Sequence, residues 1–261
     1  VKYAIYQMNI AVGDPEKNRS KVRAWLDRVA KAEKPDVVVL PEMWTTAYTL
    51  PRLEEVADRN GEPTLPFLQS LAKEYGVHMI GGSVANNKGQ GFYNTAFVVD
   101  RNGTLIHQYD KIHLVPMLDE PRYLKGGEKG VEVFELDGVK MGLIICYDLR
   151  FPELARKLAL EGVEVLHVVA EWPTARLDHW KTLQVARAIE NQMFVVSCNS
   201  VGLQDGVEFA GTSMIIDPWG NVMEAGGDDR EETLTGELSL ELVSKVRKDV
   251  PVFDSRMPEL Y

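Results

Sequence analysis

The run Asp36-Val-Val-Val-Leu40 limits the fold more than any other stretch. It is apolar at successive positions rather than alternate ones. That pattern predicts a strand covered on both faces, as parallel strands are when helices flank the sheet. Residues 2–10 (KYAIYQMNI) read as a preceding strand. Asp14-Pro15 predicts the start of a helix reaching about Ala32, with Val22, Trp25, Leu26 and Val29 on one face. A second helix is expected over 66–75, stopping at Gly76, and a strand over 77–83. The first third therefore reads β-α-β-α-β.

The middle changes character. Strands at 93–99 and 104–109 flank Asn102-Gly103, a strong hairpin signal. Strands at 130–136 and 139–145 repeat the device around Asp137-Gly138. Between the hairpins, 113–127 is long and irregular, and loops of that length are often functional. A helix (152–160), a strand (163–169), a helix (177–191) and a strand (193–199) follow. Two more strands (212–217, 233–238) and a short helix (241–248) complete the pattern. There is no internal repeat of fixed period, no low-complexity segment and no dividing linker. The expectation is one α/β domain over 1–261 with mixed sheets, helices outside and an extended tail at 250–261.

Charge and cysteine content remove several function classes. A net charge of −10 argues against nucleic acid or an anionic membrane as the main partner. Two cysteines, Cys146 and Cys198, are too few for a disulfide framework and fit a reducing compartment. Residues 1–10 lack the basic-then-apolar layout of a signal peptide, so a cytoplasmic protein is expected. The five histidines show no metal-ligand spacing, and no metal or cofactor is expected.

Chemistry concentrates at 141–153, MGLIICYDLRFPE. Residues 141–145 read as a buried strand, and Pro152 suits the first turn of a helix. Cys146 is thus expected at a strand-to-helix junction, exposed at the sheet's edge, where a helix N-terminus favours thiolate. Glu42 follows the 36–40 strand through Pro41, and Lys111 follows the strand at 104–109. Glu120 lies in the long loop. Taken singly, each is better read as ordinary structure: a small buried thiol, a surface carboxylate, a solvated lysine.

Together they carry more. L-P-E at 40–42, Y-D-K-I-H-L at 109–114 and I-C-Y-D-L-R-F-P-E-L at 145–154 resemble the three signature blocks of the nitrilase superfamily of carbon–nitrogen hydrolases. G-G-S at 81–83, Y-N-T-A at 93–96, G-T-S at 211–213 and D-P-W-G at 217–220 add to the likeness. The resemblance implies a four-layer α-β-β-α sandwich and a Glu–Lys–Cys triad. It makes Cys146 the nucleophile, Glu42 the general base and Lys111 the oxyanion partner, aided by the backbone N–H of Tyr147. Glu120 is similar to the second glutamate that orients the substrate amide.

A-E-W-P at 170–173 and the run at 179–192 resemble the ω-amidase branch, which hydrolyses the terminal amide of α-keto acids such as 2-oxoglutaramate or 2-oxosuccinamate. Trp172 is a candidate pocket wall. A substrate carboxylate needs a cation, and Arg122, Arg150 and Arg176 are the candidates. The resemblance also implies a homodimer through the helices at 152–160 and 177–191. Competing readings are a nitrilase or N-carbamoyl amino acid hydrolase with the same triad, a Cys–His hydrolase using His113 or His179, and a non-catalytic binding protein on this scaffold.

Overall fold

Side-chain alternation along the strands decides the layering. In the computed structural model, which describes residues 1–260, Tyr3, Ile5, Val37 and Val39 join a core shared by two sheets. Their neighbours Ala4, Tyr6 and Val38 pack instead with Val22, Trp25, Leu26 and Val29 of helix Pro15–Ala32. Asp14 caps that helix by accepting the Lys17 N–H at 3.0 Å. Helix Thr64–Tyr75 lies in the same outer layer and ends at Gly76, whose φ of +66° suits a glycine.

The first sheet runs in the order Glu232–Glu237, Lys2–Gln7, Val37–Val39, His78–Asn87, Phe92–Val99, Leu105–Asp110, with Asp58–Arg59 paired to His78–Asn87. The second runs Val222–Ala225, Met214–Ile216, Phe194–Asn199, Val165–Ala170, Val139–Ile145, Phe134–Leu136. In each, three parallel strands form the centre and antiparallel strands the margins, the two-residue strand Asp58–Arg59 alone adding a parallel pairing at the edge. Helices Pro152–Leu160 and Leu177–Asn191 contribute Ala155, Leu158, Trp180 and Ala188 to the core on the second sheet's side. The result is the four-layer α-β-β-α sandwich. Its two halves repeat one strand layout although the sequence shows no repeat.

Three expectations need correction. Only Phe134–Leu136 of the 130–136 segment pairs as a strand. Hairpin Val201–Gln204 with Val207–Ala210 went unread, as did strand Val222–Ala225. The tail is not extended: residues 251–255 turn, Pro258–Leu260 forms a 3-10 turn, and Phe253 sits against the guanidiniums of Arg156 and Arg247 at 5.4 and 5.3 Å. Tyr261, the last residue of that expected tail, lies outside the described residues. No described helix is long and apolar enough to cross a membrane.

Candidate active site

Glu42, Cys146 and Glu171 follow the C-terminal ends of central parallel strands, where α/β sheets commonly bind ligands, and Lys111 follows a strand at the antiparallel margin. Glu42 leaves strand Val37–Val39 through Leu40 and Pro41 and is fully buried. Its turn is held from the next strand. Ser83 Oγ accepts the Met43 N–H at 3.0 Å, and the Trp44 indole N–H donates to Gly81 O at 2.8 Å. Gly82, at φ +62°, lies so close to the Pro41 carbonyl that no Cβ fits. The G-G-S motif thus seats Glu42.

Lys111 follows strand Leu105–Asp110 and is equally buried. Its Nζ donates to Glu42 Oε1 at 2.9 Å and to Glu120 Oε1 at 2.8 Å. Glu120 opens the short helix Glu120–Tyr123 and accepts the Val115 N–H on Oε2 at 2.8 Å. Burial alone works against the Lys111 charge, but Glu42 and then Glu120 outweigh it and hold the ammonium well above its usual range.

Four residues of this cluster escaped sequence reasoning. Tyr48 OH lies 2.8 Å from Glu42 Oε1 and 2.6 Å from Glu120 Oε1. Asn94 Nδ2 donates to Glu42 Oε1 at 2.8 Å. The Glu171 N–H donates to Glu42 Oε2 at 2.7 Å. Asp148, also buried, accepts from the Tyr109 hydroxyl at 2.7 Å and the His113 N–H at 3.0 Å. Asn94, Asp148 and Glu171 stand inside the motifs Y-N-T-A, C-Y-D and A-E-W-P. Tyr48 had no comparable signal.

Cys146 ends strand Val139–Ile145 and begins a 3-10 turn, Cys146–Arg150. Its φ of +46° places a non-glycine residue in the left-handed region, a strain typical of nucleophile turns. Asp148 Oδ2 braces the turn by accepting the Ile145 N–H at 3.2 Å. Sγ lies 3.9 Å from the Glu171 carbonyl and beside Glu42, Lys111 and Glu120. The structure overturns the exposed thiolate expected from the helix start. Cys146 is nearly buried, and burial first and the Glu42 charge second push its pKa well up, against Lys111. That environment favours the thiol over the thiolate. His113 and His179 direct Nδ1 to Asp148 and Arg150, at 2.8 and 3.2 Å.

Cys146 opens onto a cavity of about 240 Å³, below the roughly 300–1,000 Å³ of drug-sized ligand sites. Tyr147, Trp172, Val115 and Leu118 are among its walls, and Arg150 and Arg176 also line it. Trp172 is fixed by its indole N–H donating to Arg176 O at 2.8 Å. The Arg150 guanidinium lies over the Trp172 ring at 4.6 Å. Among the described residues neither arginine pairs with a carboxylate. Arg122 is not brought into this cavity; it is exposed and lies over the Tyr123 ring at 5.4 Å.

A thiol, a carboxylate and an ammonium converging on a small hollow can perform acyl transfer. The family model for carbon-nitrogen hydrolases matches residues 2–248. The chain belongs to that family. A 2-oxoglutaramate amidase from Bacillus subtilis (strain 168) is 46% identical to this hydrolase over 98% of the chain and 97% of its own length. An omega-amidase, NIT2, from Danio rerio is 31% identical over 90% and 88%. Among solved structures, XC1258 from Xanthomonas campestris superposes with a TM-score of 0.91 at 29% identity, over 98% and 97% of the two chains. Its crystal structure is described as carrying an arsenic adduct in the active site. Nit3 of Saccharomyces cerevisiae, a member of branch 10 of the nitrilase superfamily, gives 0.91 at 28% identity over 100% and 97%.

Proposed function

We propose that this hydrolase cleaves the ω-amide of a short α-keto acid, 2-oxoglutaramate or 2-oxosuccinamate, to carboxylate and ammonia through a thioester on Cys146. The observation that carries the reading is the meeting of Glu42 and Lys111 with Cys146, whose thiol opens onto a small cavity lined by two guanidiniums that pair with no carboxylate. Cys146 Sγ attacks the amide carbon while Glu42 takes the thiol proton. Lys111 and the Tyr147 N–H hold the oxyanion. Collapse breaks the C–N bond, and Glu42 returns its proton to the departing nitrogen. Glu42 then takes a proton from water as it attacks the thioester, releasing the acid and restoring the thiol. Glu120 positions Lys111 and faces the amide. Arg150 or Arg176 receives the keto-acid carboxylate, so a local cation overrides the chain's net charge.

The substrate class is also supported by the 46% identity to a relative named for 2-oxoglutaramate. We further propose a cytoplasmic homodimer. Both cysteines are free and buried, and Leu160 and Ile189 stand exposed at 44% and 50% on helices Pro152–Leu160 and Leu177–Asn191. Sedimentation of the purified chain tests the dimer. Ammonia release from 2-oxoglutaramate, propionamide, a nitrile and an N-carbamoyl amino acid tests the chemistry. The keto-acid amide is expected to lead, with Arg150→Gln or Arg176→Gln raising KM for it more than for propionamide. Faster release from the nitrile or the carbamoyl compound would overturn the reading.

A further inference from the structure

Three carboxyl groups and one ammonium are fully buried at the floor of the site: Glu42, Glu120, Glu171 and Lys111. If all were ionised, the cluster would carry excess negative charge out of solvent, which buried sites avoid by neutralising a group. The hydrogen-bond donors decide which group. Glu42 is faced by Asn94 Nδ2, Lys111 Nζ, the Glu171 N–H and the Tyr48 hydroxyl. Glu120 is faced by Lys111 Nζ, the Val115 N–H and the same hydroxyl. No backbone N–H or charged donor meets either carboxyl oxygen of Glu171; the Ser200 hydroxyl beside it is the one donor near enough to act on it, and it makes no well-formed hydrogen bond. An ionised carboxylate without donors is the least tolerable buried group.

We propose that Glu171 is a neutral carboxylic acid and a positioning residue: its backbone N–H holds Glu42, while its uncharged side chain leaves Lys111 facing two buried carboxylates rather than three. Burial first, and then the Glu42 charge, favour the proton on Glu171; Lys111 and then the Ser200 hydroxyl oppose them, and Glu120 adds to them. Cys146 and Tyr48 also lie beside it, and Arg150 and Arg176 line the same cavity as Glu171. The consequence for turnover rests on the reading of Cys146 as nucleophile. The tetrahedral intermediate adds a negative charge beside Lys111, and a third ionised carboxylate would oppose it. Activity therefore declines on the alkaline side as Glu171 loses its proton.

Infrared difference spectra of the full chain read the proton without using activity. A carboxylic-acid C=O band is expected at neutral pH in wild type, retained in Glu42→Gln and Glu120→Gln and absent from Glu171→Gln. Loss of only a carboxylate band in Glu171→Gln would overturn the proposal. If that variant does not fold, Glu171→Asp serves, where the acid band must move; an unmoved band overturns it equally. The pH profile of kcat/KM on 2-oxoglutaramate reads the consequence. Glu171→Gln should lose the alkaline decline whatever its rate at neutral pH. An alkaline limb unchanged from wild type contradicts it. Wild type inactive on that substrate would defeat the substrate reading, while the spectra still decide this one.

Discussion

Replacing Lys111 by Met removes the one ammonium that lies 2.9 Å from Glu42 and 2.8 Å from Glu120, all three fully buried. The volume change is small, so the effect is electrostatic. Two carboxylates are left facing one another across Tyr48 with no cation between them. Breaking a buried ion pair from one side costs about 3–5 kcal/mol, because the remaining charge stays desolvated. For a chain of this size about 2–4 °C accompanies each kcal/mol, so melting should fall by roughly 6–20 °C. Adding Glu120→Gln removes one stranded charge, and the double variant should recover part of the loss, giving a coupling of about 0.5–3 kcal/mol. Urea titration of wild type, both single variants and the double variant measures it. Activity should fall by about 10²–10³ in kcat from the missing oxyanion partner, whatever the stability. A Lys111→Met protein within 1 kcal/mol of wild type, with additive behaviour in the double variant, would refute this account of the cluster.

Two further outcomes follow from groups outside the reacting atoms. His167 sits between the sheets, bonded to Tyr3 OH at 3.1 Å and Gly142 O at 3.0 Å, and burial holds its imidazole at about 4, below the usual 6.5. The unfolded chain therefore binds more protons between these values, so about 3 kcal/mol of stability, fully present above pH 6.5, is lost as pH falls to about 4; denaturant titrations should show this, and His167→Gln should lack that portion. Gly82→Ala forces a Cβ into the Pro41 carbonyl at φ +62°, and should displace Glu42 and lower kcat by about tenfold or more; a fully active, equally stable variant would contradict the seating role given to the G-G-S motif.

What the sequence made legible depended on locality. Helices Pro152–Leu160 and Leu177–Asn191 match their expected limits because proline entry and apolar periodicity are local signals. Glu42, Lys111 and Cys146 each follow a strand by one or a few residues, but it is the likeness of their three motifs to the nitrilase superfamily blocks that singles them out. Tyr48 could not be nominated, because it reaches the cluster from an irregular segment whose path is set by contacts with strand His78–Asn87. The Val201–Ala210 hairpin carried a usable cue, Asp205-Gly206, but glycine and short strands blurred the alternation around it. The ionisation of Cys146 was misjudged for a different reason. A helix start is visible in sequence, whereas burial and a neighbouring carboxylate are tertiary facts, and here they outweigh it. The exclusion of Arg122 is tertiary too: the short helix Glu120–Tyr123 brings Glu120 to Lys111 and leaves Arg122 exposed.

The most direct test is acid quenching of the enzyme during turnover of 2-oxoglutaramate, followed by peptide mass analysis. An acyl adduct, the substrate less ammonia, is expected on the peptide containing Cys146, with neither adduct nor turnover in Cys146→Ala. Steady hydrolysis by Cys146→Ala, or an adduct on any other residue, would contradict it.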